Sequence, residues 1–202
     1  MKHLLILLSL FLFSFTFISC KSSTDNTTTS FGTKQLGTSS DEWGIGVSTD
    51  SSGNIYVTGY TGGGLDGNTH SGESDIFLLK YNSSGTKQWT KQLGTSGDDR
   101  GYGVSTDSSG NIYVTGYTKG GFDGNTNSNK SDIFLVKYNS SGTKQWTKQL
   151  GTDHVDYANG VTTDSSGNIY VTGYTGGGLD GNTSAGGNDI FLIKYNSSGT
   201  KQ

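Results

Sequence analysis

The amino-acid sequence predicts an all-β fold made of three four-stranded antiparallel units, the last of them incomplete. A nine-residue segment occurs three times without change, at residues 53–61, 110–118 and 167–175, so each copy begins 57 residues after the one before. A fixed period of this order is typical of one supersecondary unit stacked on copies of itself. The chain also contains 33 Gly and no Pro, which fits many tight turns. No helical period follows the first 20 residues.

Four strands are predicted in each repeat, and in the first copy they cover residues 46–49, 55–60, 76–79 and 86–93. Side chains of the second strand alternate between its two faces, and both faces carry residues that can pack against a neighbour. The third is a continuous apolar run, which is typical of a strand covered on both sides. The fourth carries lysines, which suit an exposed edge. Turns rich in Asp, Ser, Asn and Gly join the first strand to the second and the third to the fourth.

Four antiparallel strands, apolar on both faces and ending at a charged edge, are typical of one blade of a β-propeller. The segments Asp-Ser-Ser-Gly-Asn-Ile-Tyr-Val-Thr-Gly, Asp-Ile-Phe-Leu-Leu-Lys-Tyr-Asn and Gly-Thr-Lys-Gln-Trp resemble the bacterial SBBP-type repeat of seven-bladed β-propellers. The resemblance covers residues 32–202, in repeats of about 39–95, 96–152 and 153–202, and implies this fold and frequent export. It implies no catalytic residues. The alternative fold, a parallel β-helix, has shorter repeats without such hairpin turns.

Three repeats are fewer than the about four to eight blades of closed propellers, so the sequence predicts an open arc or part of a larger ring. The printed sequence ends at residues 199–202, inside the predicted fourth strand of the last repeat. An unmatched copy of the missing segment, residues 33–37, precedes the first repeat. One interpretation is a truncated or partial propeller without independent activity. The other is a homodimer that closes a six-bladed ring by exchanging strands.

The beginning of the chain predicts an export signal and a membrane anchor. Residues 1–19 combine a short basic start with an apolar run that is too short to span a membrane and suits a signal peptide. The run ends at Cys20, the only cysteine, and Ser19-Cys20 resembles the lipobox of bacterial lipoproteins. That resemblance implies a lipid on Cys20 and, with Lys21 beside it, an outer-membrane or cell-surface location. The polar residues that follow, up to residue 31, predict a flexible tether, so that residues 20–31 comprise the lipidated Cys and the tether. An ordinary cleaved signal peptide is the alternative.

Differences among the three copies gather in the connections before the first strand and after the second. These connections share one end of an up-and-down sheet, and loops on a rigid scaffold often carry function, so we predict a binding face for an extracellular protein or a glycan. Loop variation without function is the alternative. Aromatic and Arg side chains are typical anchors of interfaces. The candidate binding residues are Trp43, Arg100 and Tyr157, at one aligned repeat position, with Asp41, Glu42, Asp98, Asp99 and Asp156.

The same connections carry many more carboxylates than basic side chains, which argues against nucleic acid as a partner. Clustered carboxylate and Asn oxygens are ligands that Ca²⁺ prefers, so calcium is a second hypothesis, and no other cofactor is expected. The spacing does not match an EF-hand, and Asp-Gly is also an ordinary turn. The candidate calcium ligands are Asp66, Asn68 and Asp75 and their repeats Asp123, Asn125, Asp132, Asp180, Asn182 and Asp189.

No constellation of catalytic residues is visible in the sequence. His70 and His154 lie at different repeat positions, and the serines lie in turns without a Gly-x-Ser-x-Gly segment. The sequence therefore predicts a binding protein and not an enzyme. A propeller hydrolase or lyase remains the alternative, by analogy of fold alone.

Overall fold

The computed structural model describes residues 31–202, which form eleven strands in three antiparallel sheets. In each sheet the strands follow one another in chain order, with four strands in the first two sheets and three in the third. The predicted all-β architecture of incomplete propeller repeats is confirmed. The strands are β1 (Glu42–Thr49), β2 (Ile55–Thr61), β3 (Asp75–Tyr81), β4 (Lys87–Leu93), β5 (Asp99–Thr106), β6 (Ile112–Thr118), β7 (Asp132–Tyr138), β8 (Lys144–Leu150), β9 (Asp156–Thr163), β10 (Ile169–Thr175) and β11 (Asp189–Tyr195).

The predicted signal peptide, the lipidation site Cys20 and nearly all of the predicted tether lie outside the described residues. Within residues 31–202, no helix is long and apolar enough to cross a membrane.

The first strand of each sheet is longer than the sequence indicated. In the first sheet it begins at Glu42 rather than at Gly46, because a β-bulge between Gly44 and Gly46 interrupts the alternation without ending the strand. The second sheet has the same irregularity between Gly101 and Gly103. The residues before the bulge were expected in a connecting loop. They lie instead on the first strand, paired with the second strand.

The hairpin turns between the first two strands are organised by one carboxylate. In the first sheet, Asp50 Oδ1 accepts hydrogen bonds from the backbone N–H groups of Ser52 and Asn54, at 2.9 and 3.0 Å. Its Oδ2 accepts from Asn54 Nδ2 at 2.8 Å and from the hydroxyl of Tyr56 at 3.0 Å. Gly53 adopts a φ of +76°, which favours glycine. The turn is the same in all three sheets, with Asp107 and Asp164 as the equivalent carboxylates.

The sheets pack face to face in chain order. We call the face of the first sheet with Tyr56, Ile76 and Leu78 its forward face, and the opposite face, with Val57 and Phe77, its rear face. The forward face of the first sheet and the rear face of the second form one apolar cluster, and the second and third sheets form another in the same way. The second sheet is thus covered on both sides, and every residue of β6 is buried. The first strands of neighbouring sheets are also in contact. The hydroxyl of Thr106 on β5 donates a hydrogen bond to Thr49 O on β1 at 3.0 Å.

The two outer faces of the stack are open in the described structure. On the forward face of the third sheet, Ile190 and Leu192 are 92% and 72% exposed, whereas their repeats Ile133 and Leu135 are 2% and 1% exposed. The third sheet has no complete fourth strand, and Lys201 bridges Tyr195 at the place where Lys87 begins β4 in the first sheet.

Candidate binding face

The two variable connections of each sheet lie at the same end of the strands and are joined by backbone hydrogen bonds. The N–H of Gly62 donates to Asp41 O at 2.9 Å, and the N–H of Lys119 donates to Asp98 O at 3.1 Å. The connections of neighbouring sheets also meet, because the N–H of Glu73 donates to Gly97 O at 3.1 Å. This end of the three sheets is therefore one continuous surface.

The residues Trp43, Arg100 and Tyr157 each lie directly opposite a tyrosine of the second strand. The cross-strand partners are Tyr60, Tyr117 and Tyr174, respectively. Close approach of the strands requires glycine beside each pair; a Cβ on Gly116, for example, would lie 1.9 Å from Arg100 O. The glycine of the repeated Thr-Gly-Tyr segment thus positions the variable side chain opposite the constant tyrosine.

These six side chains form a row across the three sheets, which we call the aromatic row. The rings of Trp43 and Tyr60 stack with centroids 6.3 Å apart and an interplanar angle of 17°. The guanidinium carbon of Arg100 lies 4.3 Å from the Tyr60 centroid and 6.0 Å from that of Tyr117, within the range of cation–π attraction.

The row continues into the third sheet through edge-on contacts. Tyr117 and Tyr157 meet at a centroid distance of 4.3 Å and an angle of 82°, and Tyr157 and Tyr174 follow at 5.1 Å. Tyr117 is buried and anchors the row, whereas Trp43 is 54% exposed. The outer part of the row is thus accessible to a ligand.

Arg100 is held in place by Asp98. The Nε of Arg100 donates to Asp98 Oδ1 at 2.9 Å, and the hydroxyl of Tyr117 donates to Asp98 Oδ2 at 2.7 Å. Burial favours the neutral carboxyl, but these hydrogen bonds outweigh it and lower the pKa of Asp98 below its usual value. Lys119 Nζ lies 3.6 Å from the same carboxylate. Asp98 is therefore ionised at neutral pH, and its charge is balanced locally.

A groove of about 550 Å³ lies beside the exposed end of the row. Its walls combine the rings of Trp43 and Tyr60 with the carboxylates of Asp41 and Glu73 and with Arg100. Asp41 and Glu73 are exposed. The groove thus offers an apolar surface next to hydrogen-bond acceptors and a donor.

Three of the predicted binding carboxylates are used inside the sheets. Asp99 Oδ2 accepts the hydroxyl of Thr95 at 2.8 Å, its other oxygen accepts the hydroxyl of Thr118, and the side chain is fully buried. Burial raises the pKa of Asp99 despite these hydrogen bonds. Glu42 and Asp156 make the same contacts in the other two sheets. These residues fix the connection to the sheet, and the surface carries less negative charge than the residue count indicated.

The structure separates the candidate calcium ligands. Asp66 pairs with Lys87 and Thr90, and the hydrogen bond from Lys87 is the largest contribution to the lowered pKa of its carboxyl. Asp75 instead accepts from Gln92 Nε2 at 2.8 Å. The equivalent ion pairs Lys144–Asp123 and Lys201–Asp180 follow the same pattern.

The Asn of each set is also engaged, since Nδ2 of Asn68 donates to Leu65 O at 2.7 Å. Asn125 and Asn182 donate in the same way. Among residues 31–202, no group of three or more His, Cys, Asp or Glu is placed to hold a metal ion. Calcium binding stays a prediction, and the described residues contain no preformed cluster of carboxylate ligands for it.

Comparison of the repeats did not single out Tyr60, Tyr117 and Tyr174. They are identical in all three copies, whereas the candidate binding face was predicted from the connections in which the copies differ. Their place in the repeated Thr-Gly-Tyr segment at the end of the second strand is the signal that pairs them with the variable residue across the hairpin.

Comparisons with known proteins agree with the repeated sheets. The family model of the SBBP β-propeller repeat matches residues 32–66, 88–123 and 145–180. The chain is 28% identical over 193 residues to an uncharacterized WD repeat-containing protein of Acanthamoeba polyphaga mimivirus, with 76% of this chain and 14% of that protein covered. It is 29% identical over 171 residues to the regulatory protein FlaEY of Caulobacter vibrioides, with 76% and 18% covered.

The chain thus spans less than a fifth of the length of either of these relatives. Among solved structures, a luciferin-regenerating enzyme aligns with a TM-score of 0.39 and 14% identity over 76% of this chain and 42% of that one.

Proposed function

This chain belongs to the SBBP β-propeller repeat family, and we propose that it is an exported, lipid-anchored scaffold that binds a glycan along its aromatic row. The observation that carries the proposal is the row itself. It combines an exposed, nearly parallel pair of rings with a guanidinium group and neighbouring carboxylates. Flat apolar surfaces beside convergent polar groups are typical of sites for small or chain-like ligands.

The side-chain contacts favour a ligand that is neutral or weakly basic. Arg100 is already paired with Asp98, so its charge does not attract an additional anion. The free carboxylates of Asp41 and Glu73 line the groove and accept hydrogen bonds from hydroxyl groups. A sugar chain offers many hydroxyl donors and apolar ring faces. A nucleic acid offers phosphates instead and is disfavoured.

We expect Trp43→Ala and Arg100→Ala to weaken glycan binding by tenfold or more, because aromatic and Arg anchors dominate such interfaces. Binding of the full chain to an array of plant and microbial polysaccharides measures this effect. The matched controls Trp43→Phe and Arg100→Lys keep the ring or the charge and should retain more of the affinity. Circular dichroism should be unchanged, since Trp43 is exposed. Equal binding by wild type and Trp43→Ala would contradict the proposal.

A protein partner is the second candidate, because Trp, Tyr and Arg are also enriched in the hot spots of protein interfaces. In that case the same two alanine variants lose a captured protein while the polysaccharide array stays silent. A propeller hydrolase or lyase is distinguished by release of reducing sugars from the polysaccharides that bind. No such release is expected for a scaffold.

Membrane anchoring follows from the resemblance of Ser19-Cys20 to a lipobox. We expect Cys20→Ala to move the protein from the membrane fraction to the soluble fraction, because a lipid chain can no longer be attached to the thiol. Fractionation of cells that express each variant at the same level provides the measurement. Unchanged partitioning of Cys20→Ala would contradict the anchor and favour an ordinary cleaved signal peptide.

A further inference from the structure

We infer that the groove beside the aromatic row binds an amino-sugar chain, with a protonated amino group of the sugar held by the carboxylates of Asp41 and Glu73. The inference rests on the proposed function, because it names the class of glycan that the same site takes. Three observations support it: the two carboxylates have no basic partner among the described residues, their backbone is held in place, and the equivalent carboxylate of the second sheet is neutralised.

The second sheet shows how this chain neutralises a carboxylate at the position of Asp41. Asp98 is the repeat of Asp41, and its Oδ1 accepts a hydrogen bond from Nε of Arg100 at 2.9 Å. Lys119 Nζ lies 3.6 Å from the other carboxylate oxygen of Asp98. Two basic side chains of its own sheet therefore balance the charge of Asp98, which leaves little attraction for a cationic ligand.

The first sheet has an uncharged residue at both of these basic positions. Trp43 replaces Arg100, and Gly62 replaces Lys119. Asp41 is exposed, and among the described residues it forms no ion pair. The same position of the repeat thus carries a balanced charge in the second sheet and an unbalanced one in the first.

Glu73 adds a second unbalanced charge to the groove. Its repeat positions hold Lys130 in the second sheet and Gly187 in the third. Glu73 is exposed, and within the described part of the chain it has no ion-pair partner either. Arg100 also lines the groove, but its charge is balanced by Asp98. The groove therefore attracts a cation, which the junction of the second and third sheets does not.

Hydrogen bonds hold the backbone at both carboxylates. The carbonyl of Asp41 accepts the N–H of Gly62 at 2.9 Å, and the N–H of Glu73 donates to Gly97 O at 3.1 Å. The carbonyl of the residue after Glu73 accepts the N–H of Asp99 at 2.9 Å. These bonds join the connections of the first and second sheets. Because the backbone is already ordered, less conformational entropy is lost when a ligand binds.

The aromatic side chains favour a sugar over other carriers of an amino group. The rings of Trp43 and Tyr60 lie nearly parallel and line the groove next to the carboxylates. A sugar ring has a face of C–H groups that packs on such a surface and hydroxyl groups at its edge that donate to carboxylates. An ammonium group on the same ring adds a charge-assisted hydrogen bond, which is about twice as strong as a neutral one. A lysine side chain offers the ammonium group without the flat ring.

Three hexasaccharides with the same β-linked glucose backbone test the inference. They differ only in the group next to the anomeric carbon, which is an amine in the glucosamine hexamer, an acetamide in the N-acetylglucosamine hexamer and a hydroxyl in the glucose hexamer. Isothermal titration calorimetry with the full chain, at a pH that keeps the amines protonated, measures the affinities. We expect the glucosamine hexamer to bind about tenfold more tightly than either neutral hexamer. Added salt should reduce this preference, because it screens the charges.

The variants Asp41→Asn and Glu73→Gln remove one charge each and keep the shape of the side chain. Each should reduce the preference for the glucosamine hexamer by about threefold, and the double variant should abolish it. The matched control is Asp153→Asn, which removes a 77% exposed carboxylate from the equivalent connection of the third sheet and should keep the preference. All three side chains are exposed, so circular dichroism should show the same fold.

The failure of the inference is distinguishable from the failure of the proposed function. Equal affinity for the three hexamers, or a preference that survives the double variant, would overturn the inference and leave glycan binding in place. Tetralysine provides a further comparison, and tighter binding of this peptide than of the glucosamine hexamer would overturn the inference in favour of a basic protein segment. If neither the hexamers nor any polysaccharide of the array binds, the inference and the proposed function are both wrong.

Discussion

Replacing Phe134 by Ala should lower the free energy of unfolding by about 3–5 kcal/mol, as is typical for removal of a large buried aromatic side chain. Phe134 is fully buried in the second sheet and packs edge-on against Phe122, with ring centroids 5.7 Å apart. It belongs to the apolar cluster that joins the first two sheets, so its removal should leave a cavity lined by apolar side chains, which does not bind water. Equilibrium denaturation in urea, followed by circular dichroism, measures the change.

The matched control is Phe191→Ala, at the same position of the third repeat. Phe191 is only half-buried and lines an open groove, because no complete fourth strand covers it in the described structure. Less apolar contact is lost there, so we expect about half of the destabilisation or less. Equal losses for the two variants would contradict the different environments that the structure assigns to identical repeat positions.

Asp107→Asn should lower the free energy of unfolding by about 1.5–3 kcal/mol, the usual range for hydrogen bonds to a charged group. The Oδ2 of Asp107 accepts from Asn111 Nδ2 at 2.8 Å and from the hydroxyl of Tyr113 at 2.9 Å. An amide at position 107 offers one oxygen in place of two, so these donors lose their acceptor. Tyr113 is fully buried, and water does not replace the lost partner. Urea denaturation of both chains at neutral pH gives the difference.

The same variant has an expected pH dependence. Burial alone favours the neutral carboxyl, but the hydrogen bonds from Asn111, Tyr113 and Ser109 outweigh it and lower the pKa of Asp107. A carboxylate with a lowered pKa stabilises the fold above the unfolded value of about 3.9, and this stability is lost as the pH falls through the folded value. The difference between wild type and Asp107→Asn should therefore shrink as the pH decreases below about 4.

Two other carboxylates change the stability with pH in the opposite sense. Burial raises the pKa values of Asp99 and Asp132, so their contribution to stability falls as the pH rises through those values. Both residues are present in the two chains, and their effect cancels in the difference. Asp164→Asn is the matched control in the third sheet, where the half-buried Tyr170 retains access to water, and it should destabilise the protein less. A constant difference between wild type and Asp107→Asn from pH 7 to pH 2 would contradict the role of the carboxylate.

The strands, their order and the hairpin turns were predictable because their signals are local. The Asp-Ser-Ser-Gly-Asn turn contains the carboxylate, the left-handed glycine and the donors that close it, all within five residues. The bulge of the first strand was not predictable. It lies in the pairing of the first strand with the second, where Trp43 O comes so close to Gly59 that a Cβ there would be 1.8 Å away.

The candidate site was predictable only in part for a related reason. The alignment of Trp43, Arg100 and Tyr157 was visible in the repeats, but their stacking on three constant tyrosines depends on the hairpin register. Carboxylates that look alike in the sequence also differ in the fold. Asp41 faces solvent, whereas Asp99 is fully buried and accepts hydrogen bonds.

The repeated strand-and-turn unit follows from the local sequence, whereas the burial of its faces follows from the packing of neighbouring sheets. The segment Ile-Tyr-Val-Thr-Gly-Tyr-Thr forms β2, β6 and β10 without any change of residue. It is buried throughout in β6, which has a sheet on either side, and only in part in β2 and β10, each of which has a neighbouring sheet on one side. Strand formation and turn chemistry depend on residues a few positions apart, whereas burial depends on the neighbour that covers the sheet.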